Sequence, residues 1–462
     1  MLHHYKGLLL LMVVTTLAAC RVTHTYKQPE GPAANLYRDQ TVTDTVTLAS
    51  RPWQSLFADT LLQHLITTGL RENLDLKIAI TRIDAAKAAL RSSKAAFWPD
   101  INGNAGIKQS RFATAQSFGL FENATQYDIG LTAGWEADIW GKIRSAKRAA
   151  LAGLLQSEAA RRAVQTQLVA DIANNYYTLL ALDEQLAVLE KTLINRQADV
   201  TAMKELKAAN VVNGAAVVQS EANQYAAAVA IPDMKKQIRE TENALGILLA
   251  QPSGMIRRAV LAEQSLPATL HTGVPAQLLQ YRPDVQQAEY AFRVAFENTN
   301  VARTYFYPSL NITAAGGFST FNFKDWFSSL GLFGNIAAGV TQPIFNKGLN
   351  KARLATARAK QEEAGYRFRQ SLLTAGEEVS NALYAYETAK EKQRSRVMQL
   401  QALEKSVDFT KELLRYSTAT NYTDVLTSEQ SLLAARIGDI TDRLQQWQAV
   451  IVLYRSLGGG WQ

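Results

Sequence analysis

Tyr127-Asp128-Ile129-Gly130-Leu131-Thr132-Ala133-Gly134-Trp135-Glu136-Ala137-Asp138 alternates strictly for twelve residues. Tyr127, Ile129, Leu131, Ala133 and Trp135 fall on one face. Asp128, Gly130, Thr132, Gly134, Glu136 and Asp138 fall on the other. Period-2 alternation marks a β-strand with one apolar and one polar side. A strand of roughly ten residues with aromatics near its ends suits a transmembrane barrel, lipid outside and water within. Leu310, Ile312, Ala314 and Phe318 alternate with Asn311, Thr313 and Gly317 in the same way, and residues 101–108 and 336–341 do so more weakly. A soluble antiparallel sheet covered on one side carries the same pattern, so the strands alone leave both readings open.

The stretch that follows is of a different kind. From residue 142 to about 207 there is no proline and one glycine, Gly153. At 1.5 Å per residue a helix over this stretch is roughly 100 Å long. Heptad slots from 168 to 203 hold Leu168, Ile172, Asn175, Leu179, Leu182, Leu186, Leu189, Leu193, Arg196, Val200 and Met203, nine of eleven apolar. That is coiled-coil packing. A globular core does not need such a rod, whereas an object crossing a wide aqueous compartment does.

The chain is duplicated. Phe97-Trp98-Pro99-Asp100-Ile101-Asn102 corresponds to Phe306-Tyr307-Pro308-Ser309-Leu310-Asn311. Asp138-Ile139-Trp140-Gly141-Lys142 corresponds to Pro343-Ile344-Phe345-Asn346-Lys347, and Val217-Val218-Gln219-Ser220-Glu221 to Val425-Leu426-Thr427-Ser428-Glu429. The offsets of 209, 205 and 208 residues describe two copies of one unit. The first copy spans 55–250, with strands at about 100–139 and long helices at about 141–250. A linker covers 251–273. The second copy spans 274–462, with strands at about 308–345 and long helices at about 347–457. Its heptads are looser, with Val379, Leu383, Tyr386, Val397, Leu400, Val407 and Leu414 filling seven of eleven slots. Four strands cannot close a transmembrane barrel, and an open edge in lipid is forbidden. Several protomers must contribute; three would supply twelve strands and six helical hairpins.

Residues 1–20 read as a secretory signal: Lys6, a short apolar stretch, then Leu17-Ala18-Ala19-Cys20. That run resembles the bacterial lipobox, which makes Cys20 the lipidation site, carrying N-palmitoyl and S-diacylglycerol groups. Arg21 follows where an aspartate would favour inner-membrane retention, which points to the outer membrane, and that address favours the barrel. Residues 21–54 read as an extended segment. Of 462 residues, 19% are charged and 47% apolar, so a large core can be buried and disorder is excluded. The net charge of +8 is dispersed and is no nucleic-acid signature. One cysteine rules out an internal disulfide framework and a multi-cysteine metal site. No HExxH, P-loop, GxGxxG or GxSxG is present, and His24, His64 and His271 are isolated. No enzyme, cofactor or metal is expected beyond the covalent lipid.

Three stretches resemble the outer membrane factor (TolC-like) family in its lipoprotein branch. They are Arg282-Pro283-Asp284-Val285-Gln286-Gln287-Ala288-Glu289; Arg415-Tyr416 with Tyr422-Thr423-Asp424-Val425-Leu426; and Leu453-Tyr454-Arg455-Ser456-Leu457-Gly458-Gly459-Gly460-Trp461. Ala419 and Thr427 depart from the family's usual glycine and second aspartate. The resemblance implies a mostly α fold with a transmembrane β-barrel portion. A homotrimer would set a twelve-stranded β-barrel on an α-helical barrel. It also implies an outer-membrane exit duct partnered by a periplasmic adaptor and an inner-membrane pump of the resistance-nodulation-division type. A protein-secretion duct and a non-conducting lipid-anchored coiled-coil scaffold are the alternatives.

Pro283 and Asp284 suit the first turn of a helix, and Gly458 to Gly460 a helix end. The breaks between paired long helices are the hairpin tips. Ala208, Ala209, Asn210, Asn213, Gly214, Thr420 and Asn421 are expected to contact the adaptor. Asp424 is the candidate pore constriction, since a trimer would set three carboxylates in a ring that attracts cations. Tyr416 is expected to help hold the tip closed, with Asn210 and Asn213 as hydrogen-bond partners.

Overall fold

The computed structural model describes residues 22–31, 36–38, 47–111, 123–266, 271–416 and 422–462. Cys20, Thr420 and Asn421 lie outside them. The elements run α1 (Thr60–Glu72), α2 (Leu74–Ala95), β1 (Asp100–Arg111), β2 (Asn123–Ala137), α3 (Lys142–Ala208) and α4 (Gly214–Leu248). Then come α5 (Pro283–Thr304), β3 (Ser309–Thr320), β4 (Leu332–Thr341), α6 (Leu349–Tyr416) and α7 (Tyr422–Ser456). The two copies thus share one order: helix, two strands, a very long helix and a second helix. No described helix is long and apolar enough to cross a membrane.

The chain forms two compact units. One contains Arg82–Ser157 and Gln287–Phe368, and with them the sheet, an antiparallel meander in the order β1-β2-β3-β4. Its register decides what the sheet can do. Ile129 sits opposite Ala105 and Phe318, Ala133 opposite Ile101 and Ala314, and Phe318 opposite Leu332. Because opposite residues point to the same side, the large aliphatic positions of all four strands fall on one face, while Phe333 falls on the other. Asn102, Thr132, Thr313 and Asp128 fall with Ser319 on the other. Gln126 and Ser319 both donate to Asp128 there, at 3.0 and 2.6 Å. The outer edges of β1 and β4 have no partner strand among the described residues.

Below the sheet, Arg148 donates through both nitrogens to the buried Glu297, at 2.7 and 2.9 Å. Asn300, fully buried, clamps the backbone of His24 with two 3.0 Å bonds. Asp138 accepts from the amides of Ile143 and Arg144 and so starts α3 after the left-handed Gly141, whose φ is 79°.

The other unit, Glu30–Thr81, Glu158–Gln286 and Arg369–Gln462, holds the main core. Tyr177 stacks on Trp447 at 4.2 Å, and Tyr176 donates to Asp59, which also caps α1 through the Leu61 amide. The heptad residues Leu168, Ile172, Leu179, Val200 and Met203 are buried, whereas Val397 in the looser copy is 45% exposed. Residues 47–56 are not wholly extended. A 3-10 turn, Leu48–Ser50, is capped by Thr47, and a short helix, Trp53–Leu56, starts after Pro52. Pro232 lies inside α4 without ending it.

The second-copy start and the C-terminus are locked together. Arg282, 4% exposed, donates to Asp284, Glu378 and the Ser456 carbonyl. Trp461 donates to the Tyr281 carbonyl at 2.9 Å, and the Arg162 guanidinium lies 4.6 Å from its ring. Gly458 turns the chain at φ 93°, and a Cβ there would lie 2.3 Å from the Tyr281 oxygen. Pro283 and Asp284 open α5 and the glycines follow the end of α7, as the sequence leads one to expect.

The tightest approach in the sheet gives a direct test. Gly130 and Gly317 sit opposite each other, and a Cβ at Gly317 would lie 2.2 Å from the Ile129 carbonyl oxygen. Gly317→Val should therefore push β2 and β3 apart and abolish a heat-modifiable, SDS-resistant oligomer band in membrane extracts. An undiminished band would show that the sheet absorbs the clash.

Candidate functional site

At the first tip α3 unwinds in two hydrogen bonds. Val211 donates to Leu206 O at 2.9 Å and Asn210 to Lys207 O at 3.0 Å, with Asn210 left-handed at φ 58°. This is a Schellman ending with asparagine in the position glycine usually takes. Asn213 then caps α4, its side-chain oxygen accepting from the Ala216 amide at 3.1 Å. Gly214 is the first residue of α4. Ala208, Ala209, Asn210, Val211 and Asn213 are exposed, so the tip presents small and amide side chains to its surroundings.

At the second tip α6 ends at Tyr416, which is 85% exposed, and α7 begins at the buried Tyr422. Asp424 lies exposed in the first turn of α7, with Val425 and Leu426 buried behind it. Thr427 is exposed and its hydroxyl donates back to the Thr423 carbonyl at 2.9 Å. The two tips pack on each other: Tyr422 joins Met203 and Val217 in one cluster, with Leu206, Val212, Ala216 and Leu414 around it. The structure therefore brings the described parts of both tips to one place, while Thr420 and Asn421 lie outside the described residues. It assigns the Asn213 oxygen to a helix cap.

Next to this cluster lies a group of charges that the sequence reading did not single out. Arg196, with 5% of its side chain exposed, pairs with Glu429 and lies 3.7 Å from Asp199. Lys411 lies 2.5 Å from Glu429 and 3.9 Å from Asp199. Burial, and then the negative Glu429, push the Asp199 carboxyl above its ordinary range. The Tyr422 hydroxyl and Ser220 Oγ are also buried here, beside each other. Two signals pointed to this group. Arg196 is the one charged residue in the heptad seam from 168 to 203. Glu429 corresponds by the repeat to Glu221, which makes a 2.9 Å ion pair with Lys204. The group fastens α3 to α6 and α7 close to the tips. Among the described residues no cluster of metal-ligating side chains exists.

Comparison with known proteins agrees with this geometry. The family described as Outer membrane efflux protein matches the chain twice, over residues 65–251 and 274–459, one match per copy. The probable efflux pump outer membrane protein TtgC of Pseudomonas putida is 30% identical over 99% of this chain and 96% of its own. The probable outer membrane lipoprotein SilC of Salmonella typhimurium is 28% identical over 93% of this chain and 90% of its own. A solved structure of CusC, with a TM-score of 0.86 and 26% identity, covers 96% of this chain and 100% of that one.

The raised Asp199 carboxyl has a pH signature. The folded chain holds its proton at pH values where the unfolded chain has lost it. Its contribution to stability is therefore full at low pH and falls as pH rises toward the folded-state pKa. Asp199→Asn should flatten the dependence of melting temperature on pH just above the ordinary aspartate range and raise the melting temperature at the upper end of that range. Glu429→Gln should instead destabilise by about 3 kcal/mol, because it strips the buried Arg196 of its main partner. Parallel wild-type and Asp199→Asn curves would contradict the assignment.

Proposed function

The chain belongs to the outer membrane efflux protein family, and on that premise we propose that three copies form the exit duct of a tripartite efflux pump. It is an outer-membrane channel protein, not an enzyme. The observation that carries the proposal is the register that puts the large aliphatic positions of all four strands on one face and leaves two edges unpaired among the described residues. In hydrocarbon such edges must be paired. Pairing β4 of one protomer with β1 of the next closes the sheet at three copies, with the polar face lining the bore.

The long helices continue the duct into the periplasm, where the exposed tips dock a periplasmic adaptor that links them to an inner-membrane pump of the resistance-nodulation-division type. The duct is passive, and the pump supplies the energy. The cargo is small toxic compounds, the class suggested by the efflux relatives. Cys20 carries the N-palmitoyl and S-diacylglycerol anchor, a reading supported by the lipoprotein relative. Asp424, exposed at the start of α7, contributes one carboxylate per chain to a ring at the constriction, and Tyr416 flanks it.

Deleting the gene and screening toxic compounds should reveal lost resistance that the wild-type gene restores. Ala209→Glu should fail to restore it at normal trimer level and surface display, because a bulky charge blocks close packing of an adaptor helix. Full resistance in that variant would move docking elsewhere. Cys20→Ser should abolish incorporation of labelled palmitate, and persistent labelling would remove the anchor. In planar bilayers, Asp424→Ala and Asp424→Asn should both reduce cation preference and block by hexamminecobalt. Wild-type selectivity in both would place the constriction at other residues.

A further inference from the structure

The loop joining β3 to β4 is unusual for a segment expected to face water. Phe321, Phe323, Phe327 and Leu330 are 60, 62, 66 and 84% exposed, and Leu332 follows at 63%. The loop carries only two charges, Lys324 and Asp325. It is nonetheless well ordered by hydrogen bonds. Asn322 caps a 3-10 turn through the Lys324 amide and donates to Asp325 at 2.9 Å; Ser328 donates to the Asp325 carbonyl at 2.8 Å; and Ser319 N donates to Gly331 O at 2.8 Å. A contiguous apolar patch of this kind marks a binding surface.

The direction in which the patch lies identifies the partner. Phe323 and Trp326 pack on Tyr127 at 5.3 and 5.4 Å, Phe327 packs on Phe318 at 5.9 Å, and Trp326 stacks on Phe327 at 5.3 Å. Tyr127 and Phe318 both belong to the apolar face of the sheet, by the register. The loop rings therefore extend that face beyond the strand ends, on the side away from the polar face. At the other end of the same face stands Trp135, whose indole donates to the Phe97 carbonyl, with Trp98 beside Phe97 76% exposed. Tyr127 and Trp135 are eight residues apart, about 26 Å along a strand and roughly 20 Å of height at the usual barrel tilt. The apolar band of an outer-membrane barrel is about 25 Å tall and flanked by aromatic girdles. The helices leave the sheet at the Trp135 end, toward the periplasm, so the loop stands at the outer leaflet.

We propose that the β3–β4 loop is a lipid-binding collar whose rings seat in the headgroup–acyl boundary of the outer leaflet. Its occupant is outer-leaflet lipid, with Lys324 placed for a lipid phosphate. Indole and phenyl rings favour this boundary because one part of it is apolar and the other wet. The inference rests on the channel standing in the outer membrane, not on its cargo or its pump.

The test uses the full-length protein in phosphatidylcholine vesicles containing lipids brominated either near the glycerol or near the chain terminus. Subtracting the emission of Trp326→Phe from that of wild type isolates the Trp326 signal. That signal should fall about twofold with the shallow bromines and less with the deep ones, as expected of a ring at the interface. Equal emission in brominated and plain vesicles would overturn the collar. Phe323→Ser with Phe327→Ser gives a second readout, since it should leave single-channel conductance unchanged. A several-fold rise in conductance would show that the loop plugs the bore and would also overturn it. Wild-type conductance in the same bilayers checks the channel reading separately.

Discussion

A backbone N–H or C=O left unpaired in hydrocarbon costs several kcal/mol, and that single constraint governs this chain. Four strands whose large aliphatic residues share one face are fit for lipid, yet their two outer edges are not. The edges must be satisfied by other copies, which makes the oligomer part of the fold. Duplication serves the same end. Each repeat delivers two strands and one helical hairpin, so the number of strands and the number of hairpins grow together as copies are added.

The helical part is held by a few buried polar anchors. Arg282 ties the start of the second copy to the last turn of α7 through Asp284, Glu378 and the Ser456 carbonyl. Arg148 with Glu297 and Asn300 with His24 do comparable work beneath the sheet. Each of these groups has its hydrogen bonds met, as a buried charge requires. The Arg196–Glu429–Lys411–Asp199 group near the tips is less settled. Its carboxylates are crowded, burial and the negative Glu429 raise the Asp199 carboxyl above its ordinary range, and Tyr422 and Ser220 are buried beside it.

What could be read from the sequence was what repeats. The strict alternation from Tyr127 to Asp138 fixed β2, and the alternation from Leu310 to Phe318 fixed β3. The proline-free run from Lys142 fixed α3 almost to its last residue. Helix α1 escaped notice because Gly69 and a short length blur its period, and a proline inside α4 would have argued for a break at Pro232. Residues 47–56 escaped for another reason: their turns depend on Thr47 and Pro52 as caps rather than on any pattern. The charged group at Arg196 could not be assembled, since its members lie up to 233 residues apart and only packing unites them. The apolar face that supports the lipid collar was legible strand by strand, but its alignment across four strands came from the register alone.

The central claim is that copies close the sheet through the β1 and β4 edges. Native mass spectrometry of the purified protein in detergent, followed by amide hydrogen exchange on the same particles, tests it directly. The account predicts three chains per particle, with the outward amides of β1 and β4 protected as strongly as those between β2 and β3. Single chains, or trimers whose β1 and β4 outward amides exchange at solvent-exposed rates, would contradict it.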